Sequence, residues 1–351
     1  EKSGIKDVNV DCDFFDFFCS GIINAKTFVN AMKNTAKRYV NVPVWFKNTV
    51  PDTKKQEFSL SMNFKDTRML SKLFMPELYV SSGTTINMAY TDGYSYHGST
   101  IESPEIWFDN LKFKNIDIRN TAKFDEFISN ISFEGIIIRD TSEVYPTPLS
   151  LENVNLVSKF SNDTVEMALQ WDDDDEHDHN KAHIKSMFVP RATSGGILSI
   201  MSEEMLVNDT VWCLNPECSI DFQSDKTVIN DFELYTDAQS IAVFGTYPKY
   251  DSDTMHAVFR NVDISDFDFI MPVGLNFDGI VDGFVGVSGI DGTLAFSSGL
   301  EIKRLFLNNQ EIGDVFVNAK WHDADKSIYI NTEVLNSLLG NEYHETVSLA
   351  G

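Results

Sequence analysis

Apolar and polar residues alternate along most of the chain. The alternation is clearest in three runs: Phe58, Leu60, Met62 and Phe64; Val165, Met167, Leu169 and Trp171; and Val315, Val317, Ala319 and Trp321. A period of two places every second side chain on the same face of a β-strand. The pattern therefore predicts many half-buried strands with one apolar face.

Short turn signals separate the alternating runs, for example Thr91-Asp92-Gly93 and Ile290-Asp291-Gly292. Turns of this kind join neighbouring antiparallel strands. The predicted fold is all-β, a long antiparallel sheet with hairpin-type units around residues 50–190 and 195–335. Because no linker rich in Pro, Gly or Ser divides the chain, we expect residues 1–351 to form a single elongated body.

One segment, Asn24–Val40, departs from the strand pattern. Its apolar residues follow a spacing of three and four, while its charged residues are all Lys or Arg. Asn24 stands where a helix cap is expected, and Pro43 follows the end of the pattern. The sequence predicts an amphipathic helix whose face of Phe28, Val29, Met32 and Ala36 rests on the sheet. A helix lying in a membrane interface is the alternative.

Glycines interrupt the strand residues between Gly274 and Gly299. No helix follows this stretch, as a phosphate-binding loop would require. Glycine inside a strand usually marks a bulge or a bend, so the stretch predicts a curved sheet.

The composition excludes several classes of function. The chain carries 28 Lys and Arg against 53 Asp and Glu, a net charge of −25, which argues against nucleic acid as a partner. With 42% hydrophobic residues the chain has enough apolar surface to fold. The longest stretch without a charged residue, Leu78–Thr91, is well short of the roughly 20 apolar residues of a membrane-spanning helix.

The acidic run Asp172–His179, with His183 close behind, is the most conspicuous local motif. Carboxylates and imidazoles together could hold a divalent cation. However, the run lies between two alternating strands and lacks the Gly and terminal Glu of an EF-hand loop. We expect a solvated hairpin tip, with a metal site as the alternative.

The four cysteines stand as two close pairs, Cys12 with Cys19 and Cys213 with Cys218. Neither pair has the spacing of a zinc or thioredoxin site. Buried thiols and disulfides of an oxidising compartment both remain open.

Known catalytic motifs are absent from the sequence. It holds no H-E-x-x-H, G-x-S-x-G or P-loop pattern, and outside the acidic run and its neighbour His183 the His residues are scattered. The sequence predicts a protein that is not an enzyme, with no catalytic residue, no metal site and no cofactor.

An ordered series of strand-like segments resembles the repeat style of TamB proteins, the translocation and assembly module subunits of Gram-negative bacteria, which are related to AsmA-like proteins. The segments are Leu151–Trp171, Leu206–Trp212, Ile220–Phe222, Val228–Leu234, Gln239–Gly245, Phe259–Ile264, Gly279–Gly286 and Leu305–Asn309, followed by Gly313-Asp314-Val315 and Trp321. The similarity covers most of residues 50–335. The length, the acidity and the helix at 24–40 depart from the family pattern, so the resemblance implies a piece of a longer protein.

The resemblance implies a bridge-like lipid transfer protein whose sheet curls into an open apolar trough, a β-taco. It further implies a periplasmic body anchored in the inner membrane through a helix outside this sequence. The expected partners are phospholipid acyl chains and an outer-membrane barrel protein of the TamA or BamA type, and the expected role is lipid transport, assembly of outer-membrane proteins, or both.

An apolar trough would be lined by the inward residues of the alternating strands. The predicted lining is Phe58, Leu60, Met62, Val165, Met167, Leu169, Phe232, Leu234, Leu305, Leu307, Val315 and Val317. Three alternatives remain: a closed two-sheet sandwich, an extracellular β-sandwich or β-helix that binds glycans through surface Tyr and Trp, and a β-helix enzyme acting on carbohydrates.

Overall fold

A computed structural model describes most of the chain, and the statements below concern these residues. They are 5–24, 28–40, 56–91, 97–109, 111–123, 125–138, 149–172, 180–191, 194–207, 209–247, 253–270, 276–290, 293–322, 327–335 and 347–350.

The described residues form 23 strands, two α-helices and one 3₁₀ segment. The first strands are β1 Lys6–Asp11, β2 Phe15–Ile22, β3 Glu57–Phe64, β4 Leu78–Val80, β5 Thr85–Thr91, β6 His97–Phe108, β7 Leu111–Ala122, β8 Glu126–Ile138, β9 Leu149–Ser161, β10 Thr164–Asp172 and β11 Lys181–Pro190. The others are β12 Gly196–Val207, β13 Thr210–Val211, β14 Cys213–Leu214, β15 Ser219–Phe222, β16 Thr227–Tyr235, β17 Ser240–Thr246, β18 Thr254–Asp263, β19 Phe277–Ile290, β20 Thr293–Leu307, β21 Gln310–His322, β22 Ser327–Leu335 and β23 Val347–Ala350. The helices are α1 Phe28–Ala36 and α2 Arg68–Phe74, and the 3₁₀ segment is Ile264–Ile270.

The strands belong to one open antiparallel sheet. Most strands pair with the next strand along the chain, as in the meander from β5 to β11 and the meander from β15 to β23. Strand β4 pairs with β6 and lies beyond the end of β5. The prediction of an all-β fold with a long antiparallel sheet is confirmed. The antiparallel pairing differs from the parallel pairing of a β-helix.

The chain divides into two compact units. The first contains residues 1–176 and 181–196, and the second contains residues 177–180 and 197–351. The division falls close to the boundary between the two predicted ranges of hairpin units. That the chain forms a single elongated body stays a prediction.

Bulges interrupt the pairing of the second unit at regular places. Asp231, Asn261 and Arg304 have φ angles near +50°, and the pairing register shifts at each of them. Gly283, opposite the second bulge, has a φ of +129°, and a Cβ atom there would lie 2.0 Å from the carbonyl oxygen of Gly299. Within the glycine stretch, the register between β19 and β20 shifts between Asp278 and Ile280, and a bulge bends its strand. That the sheet curves along this stretch stays a prediction.

Helix α1 is shorter than the predicted Asn24–Val40. Residues 25–27, and Pro43 beyond the helix, lie outside the described residues, as do the side chains of Phe28, Val29 and Met32. Ala31 is buried against Cys19, Phe58 and Tyr90 of the sheet, so α1 does lie on the apolar face. Ala36 is exposed instead of buried, because the chain leaves the helix there and its next apolar residues, Tyr39 and Val40, pack on the sheet.

Helix α2 was not predicted, since only one helix was expected. No residue of α2 is buried. No helix among the described residues has the length and apolarity needed to cross a membrane.

The core of the second unit includes Trp212, which is buried. Its ring lies 5.6 Å from the ring of Phe267 in the 3₁₀ segment. In the same segment, the buried carboxylate of Asp266 accepts hydrogen bonds from Thr210 and Gln239. These contacts attach the 3₁₀ segment to strand β13 and to Gln239, the residue before β17.

Candidate functional site: the apolar face

The apolar face of the first unit is organised in three rows that cross the strands. Residues paired across antiparallel strands lie on the same face, so the register defines each row. The aliphatic row contains Phe17, Met62, Ile86, Ile101, Ile118, Ile131, Leu156, Leu169 and Ile184. The mixed row contains Cys19, Leu60, Met88, Ser99, Asn120, Ser129, Ser158, Met167 and Ser186. The covered row contains Phe58, Tyr90, His97, Ala122, Phe127, Phe160, Val165 and Phe188.

The aliphatic row is continuous across nine strands and contains no charged residue. At the usual strand spacing of about 4.8 Å, nine strands span about 38 Å. Every member of the row is half-buried, from Phe17 on β2 to Ile184 on β11. A long apolar strip of the first unit therefore remains partly accessible, and extended accessible apolar patches mark interaction sites.

The covered row is protected by residues 28–40, which we term the cover segment. Tyr39 and Val40 are buried against Ala122 and Val165, and the hydroxyl of Tyr39 donates a hydrogen bond to the carbonyl oxygen of Lys123 at 3.0 Å. Aromatic stacking continues the row, with 4.4 Å between the ring centroids of Tyr90 and His97. The cover segment therefore encloses one edge of the apolar face.

A cavity of about 280 Å³ lies between the cover segment and the sheet. Its walls are mostly apolar, and Ala36, Tyr39 and Phe160 are among them. Ser99 and Asn120 of the mixed row supply polar groups, and the amide of Asn120 donates a hydrogen bond to the Ser99 hydroxyl at 2.9 Å. The cavity is large enough for a segment of an alkyl chain, with hydrogen-bonding groups at its floor.

The opposite face carries a polar row across strands β3 to β8. The register aligns Ser61, Asn87, Thr100, Arg119 and Asn130 in this row. In these strands the alternation inferred from the sequence therefore separates apolar from polar side chains.

Six of the predicted lining residues lie in these rows. Met62 and Leu169 belong to the aliphatic row, Leu60 and Met167 to the mixed row, and Phe58 and Val165 to the covered row. Phe58 and Val165 are buried, the first beside α1 and the second beneath Tyr39 and Val40, so they support the cover segment and are not open to a ligand. That the other four line a lipid path stays a prediction.

The second unit carries its own apolar face, and the remaining predicted residues lie on it. One row contains Leu234, Ile241, Phe259, Gly283, Leu300, Val317, Thr332 and Val347, and a second contains Phe232, Val243, Ala257, Val285, Ser298, Ala319, Ile330 and Leu349. A third contains Val262, Val281, Ile302, Val315 and Val334.

Leu305 and Leu307 join this face through the bulge at Arg304. Ile302 pairs with Val315 and Leu305 pairs with Gly313, so one extra residue of β20 lies between them. Without the bulge, the odd-numbered leucines would point to the opposite face from Ile302.

An ion pair marks the end of the first unit's apolar face. The ammonium group of Lys112 lies 2.7 Å from a carboxylate oxygen of Glu105 and 4.8 Å from the ring centre of Trp107, whose indole N–H donates to the same carboxylate. Burial alone would raise the pKa of Glu105, but the hydrogen bonds from Lys112 and Trp107 outweigh it and lower the pKa.

The acidic run joins two paired strands. Asp172 of β10 pairs with Lys181 of β11, so the run occupies a hairpin connection, while residues 173–179 lie outside the described part. Among the described residues, no three metal-ligating side chains come together. All four cysteines are free thiols; Cys19 and Cys218 are buried, and Cys213 is exposed.

Sequence reasoning missed most of the aliphatic row. Ile101, Ile118, Ile131 and Ile184 stand in strands whose mixed-row position is Ser or Asn, so the alternation there is interrupted. Ile116 and Ile118, two residues apart on β7, carried the signal that could have identified this face. No family model matches the chain, and no curated protein or solved structure matches it either.

Proposed function

We propose that the apolar face binds the acyl chains of lipids and serves as a path along which they move. The observation that carries this proposal is the aliphatic row, which presents half-buried side chains on nine neighbouring strands of the sheet without a charged residue. Each CH₂ group that leaves water gains about 0.8 kcal/mol, and a row of similar aliphatic side chains offers nearly equal energy at each step. Movement along it needs no catalytic group.

The resemblance to TamB-like proteins extends this proposal. On that resemblance alone, we assign the chain to a periplasmic conduit anchored in the inner membrane. Its cargo would be phospholipid, delivered toward a barrel protein of the outer membrane, with assistance to protein assembly there as a second role.

Glycan binding is the alternative function. It requires aromatic rings that are exposed on the protein surface. Among the described residues, Trp107, Trp171, Trp212 and Trp321 are buried or half-buried. Phe244 and Phe284 are exposed on the opposite face of the second unit, beside His256. These rings are the surface that a glycan would contact.

Site-specific crosslinking tests the lipid path. A photoreactive residue at Ile118 or Ile131 should crosslink to phospholipid supplied in detergent micelles. The matched controls are Arg119 and Asn130, the next residues on the same strands, which face the opposite side. Equal crosslinking from both faces, or from neither, would overturn the proposal, and retention on an immobilised glycan that depends on Phe244 would favour the alternative.

A further inference from the structure

Helix α2 and Met75, the residue that follows it, present an unusual group of apolar side chains. Met69 is 61% exposed, Leu73 71%, Phe74 80% and Met75 46%. Large apolar residues are rarely exposed together to this extent, and contiguous patches of them mark interaction sites. The question is what covers them.

The helix has the chemistry of a membrane-interface segment. Met69 and Leu73 are four residues apart and form an apolar stripe. The exposed side chain of Lys72 lies beside it, while the guanidinium of Arg68 is held in an ion pair 2.5 Å from Asp66. The helix contains no acidic residue, although the chain as a whole is strongly acidic. Among the described residues, Lys72 forms no ion pair. A cation at this position can extend to lipid headgroups while its alkyl stem stays with the apolar side chains.

The base of the helix is held firmly. The hydroxyl of Thr67 donates a hydrogen bond to the carbonyl oxygen of Val80 at 2.6 Å. Just before it, the ammonium group of Lys65 lies 2.8 Å from Asp11 and 2.6 Å from Asp16. The exposed residues are therefore presented from an ordered platform, which lowers the entropic cost of binding.

The helix also continues the strand that carries part of the aliphatic row. Met62 belongs to that row, and β3 ends at Phe64, four residues before α2 begins. A lipid layer that touches α2 would thus lie next to the apolar face.

We propose that α2 inserts its apolar stripe into the surface of an anionic lipid bilayer and so brings the apolar face to its source or destination of lipid. That α2 brings the apolar face to its source or destination of lipid rests on the proposed function, whereas the binding of α2 to the bilayer does not. A protein with an apolar groove is the other possible occupant, but it would not require an exposed cation such as Lys72 beside the apolar stripe.

Vesicle flotation tests the inference with the purified chain. Vesicles of phosphatidylethanolamine and phosphatidylglycerol should carry the chain to the top of a gradient, and vesicles of phosphatidylcholine should carry less. The double variant L73D/F74D should bind the anionic vesicles at least about tenfold more weakly. Because both side chains are highly exposed, this variant should fold normally.

The matched control is the double variant M187D/V189D, which introduces the same two charges at exposed apolar residues of β11 and should leave flotation unchanged. Lys72→Gln should weaken binding to anionic vesicles only. Failure of the unmodified chain to float, or equal flotation of L73D/F74D, would overturn the inference. Crosslinking of lipid from Ile118 in micelles is scored separately, so a failed bilayer contact is distinguished from a failed lipid path.

Discussion

The hydroxyl groups of Thr35 and Tyr90 lie 2.9 Å apart, so a hydrogen bond connects helix α1 to strand β5 at the wall of the cavity. Tyr90 is also buried by the ring of Phe58 on one side and that of His97 on the other. The cover segment is therefore attached at Tyr90 by both polar and aromatic contacts.

Replacing Tyr90 with Phe keeps the ring and removes this hydrogen bond. We expect a loss of about 1 kcal/mol in the free energy of unfolding and faster amide exchange in α1. Urea denaturation and hydrogen exchange would measure both effects. Tyr79→Phe is the control, since Tyr79 is only half-buried on β4, and unchanged exchange in α1 of Tyr90→Phe would argue against the attachment.

A charge in the aliphatic row should block the lipid path without unfolding the protein. Leu169→Asp places a carboxylate at a half-buried position, where it keeps part of its hydration. We expect a folded variant that loses lipid crosslinks from the neighbouring Ile184, measured together with thermal unfolding. Ala168→Asp, on the other face of the same strand, should keep them.

Val317→Asp, on the apolar face of the second unit, should likewise give a folded variant that loses lipid crosslinks. The closed-sandwich alternative predicts a different result for both variants, because an unpaired buried charge would unfold the protein. Asp173→Asn, in the acidic run, should affect neither folding nor lipid crosslinking.

The lowered pKa of Glu105 predicts how the stability of the fold changes in acid. A lowered carboxyl pKa stabilises the fold at pH values above the ordinary pKa of 4.5, and this contribution is lost as the pH falls through the lowered value. Glu105→Gln removes the titration. The difference in unfolding free energy between the unmodified chain and this variant should therefore shrink below pH 4.5, as measured by urea denaturation at a series of pH values. A difference that stays constant with pH would contradict the ion pair with Lys112.

Gly283 is expected to tolerate no side chain. Its φ of +129° and the 2.0 Å approach of a Cβ atom to the Gly299 carbonyl combine backbone strain with a steric clash against main chain. Gly283→Ala should cost about 3 kcal/mol or more in the free energy of unfolding. Gly135→Ala, whose Cβ would meet its nearest atom at 3.7 Å, is the control and should change stability by less than about 1 kcal/mol.

The free thiols should react in the order of their exposure. Burial raises the pKa of Cys19 and of Cys218, which lowers their thiolate fraction, whereas Cys213 is exposed. A thiol reagent at pH 8 should label Cys213 first, and Cys213→Ser should remove the fast phase. If Cys213 is labelled rapidly only after the chain has been reduced, a disulfide between Cys213 and Cys218 is indicated.

The sequence by itself determined the strands and their two faces. A period of two in Phe58, Leu60 and Met62 assigns side chains to opposite sides of one strand, and that is a local property of the backbone. Turn residues between the runs predicted that neighbouring strands pair antiparallel, because the conformation of a turn is also a local property of the backbone. The glycines around Gly283 also predicted bends, since only a residue without a Cβ adopts their conformation.

Only the tertiary structure decided which residues stand together on a face. The nine members of the aliphatic row come from nine strands, and their alignment depends on the pairing register between separate strands. A bulge such as Arg304 shifts the register by one residue, so Leu305 joins Ile302 against the simple alternation. The burial of Val165 under Tyr39, and the exposure of Phe74, likewise depend on where the cover segment and α2 pack, because burial is a property of the partner surface and not of the residue itself.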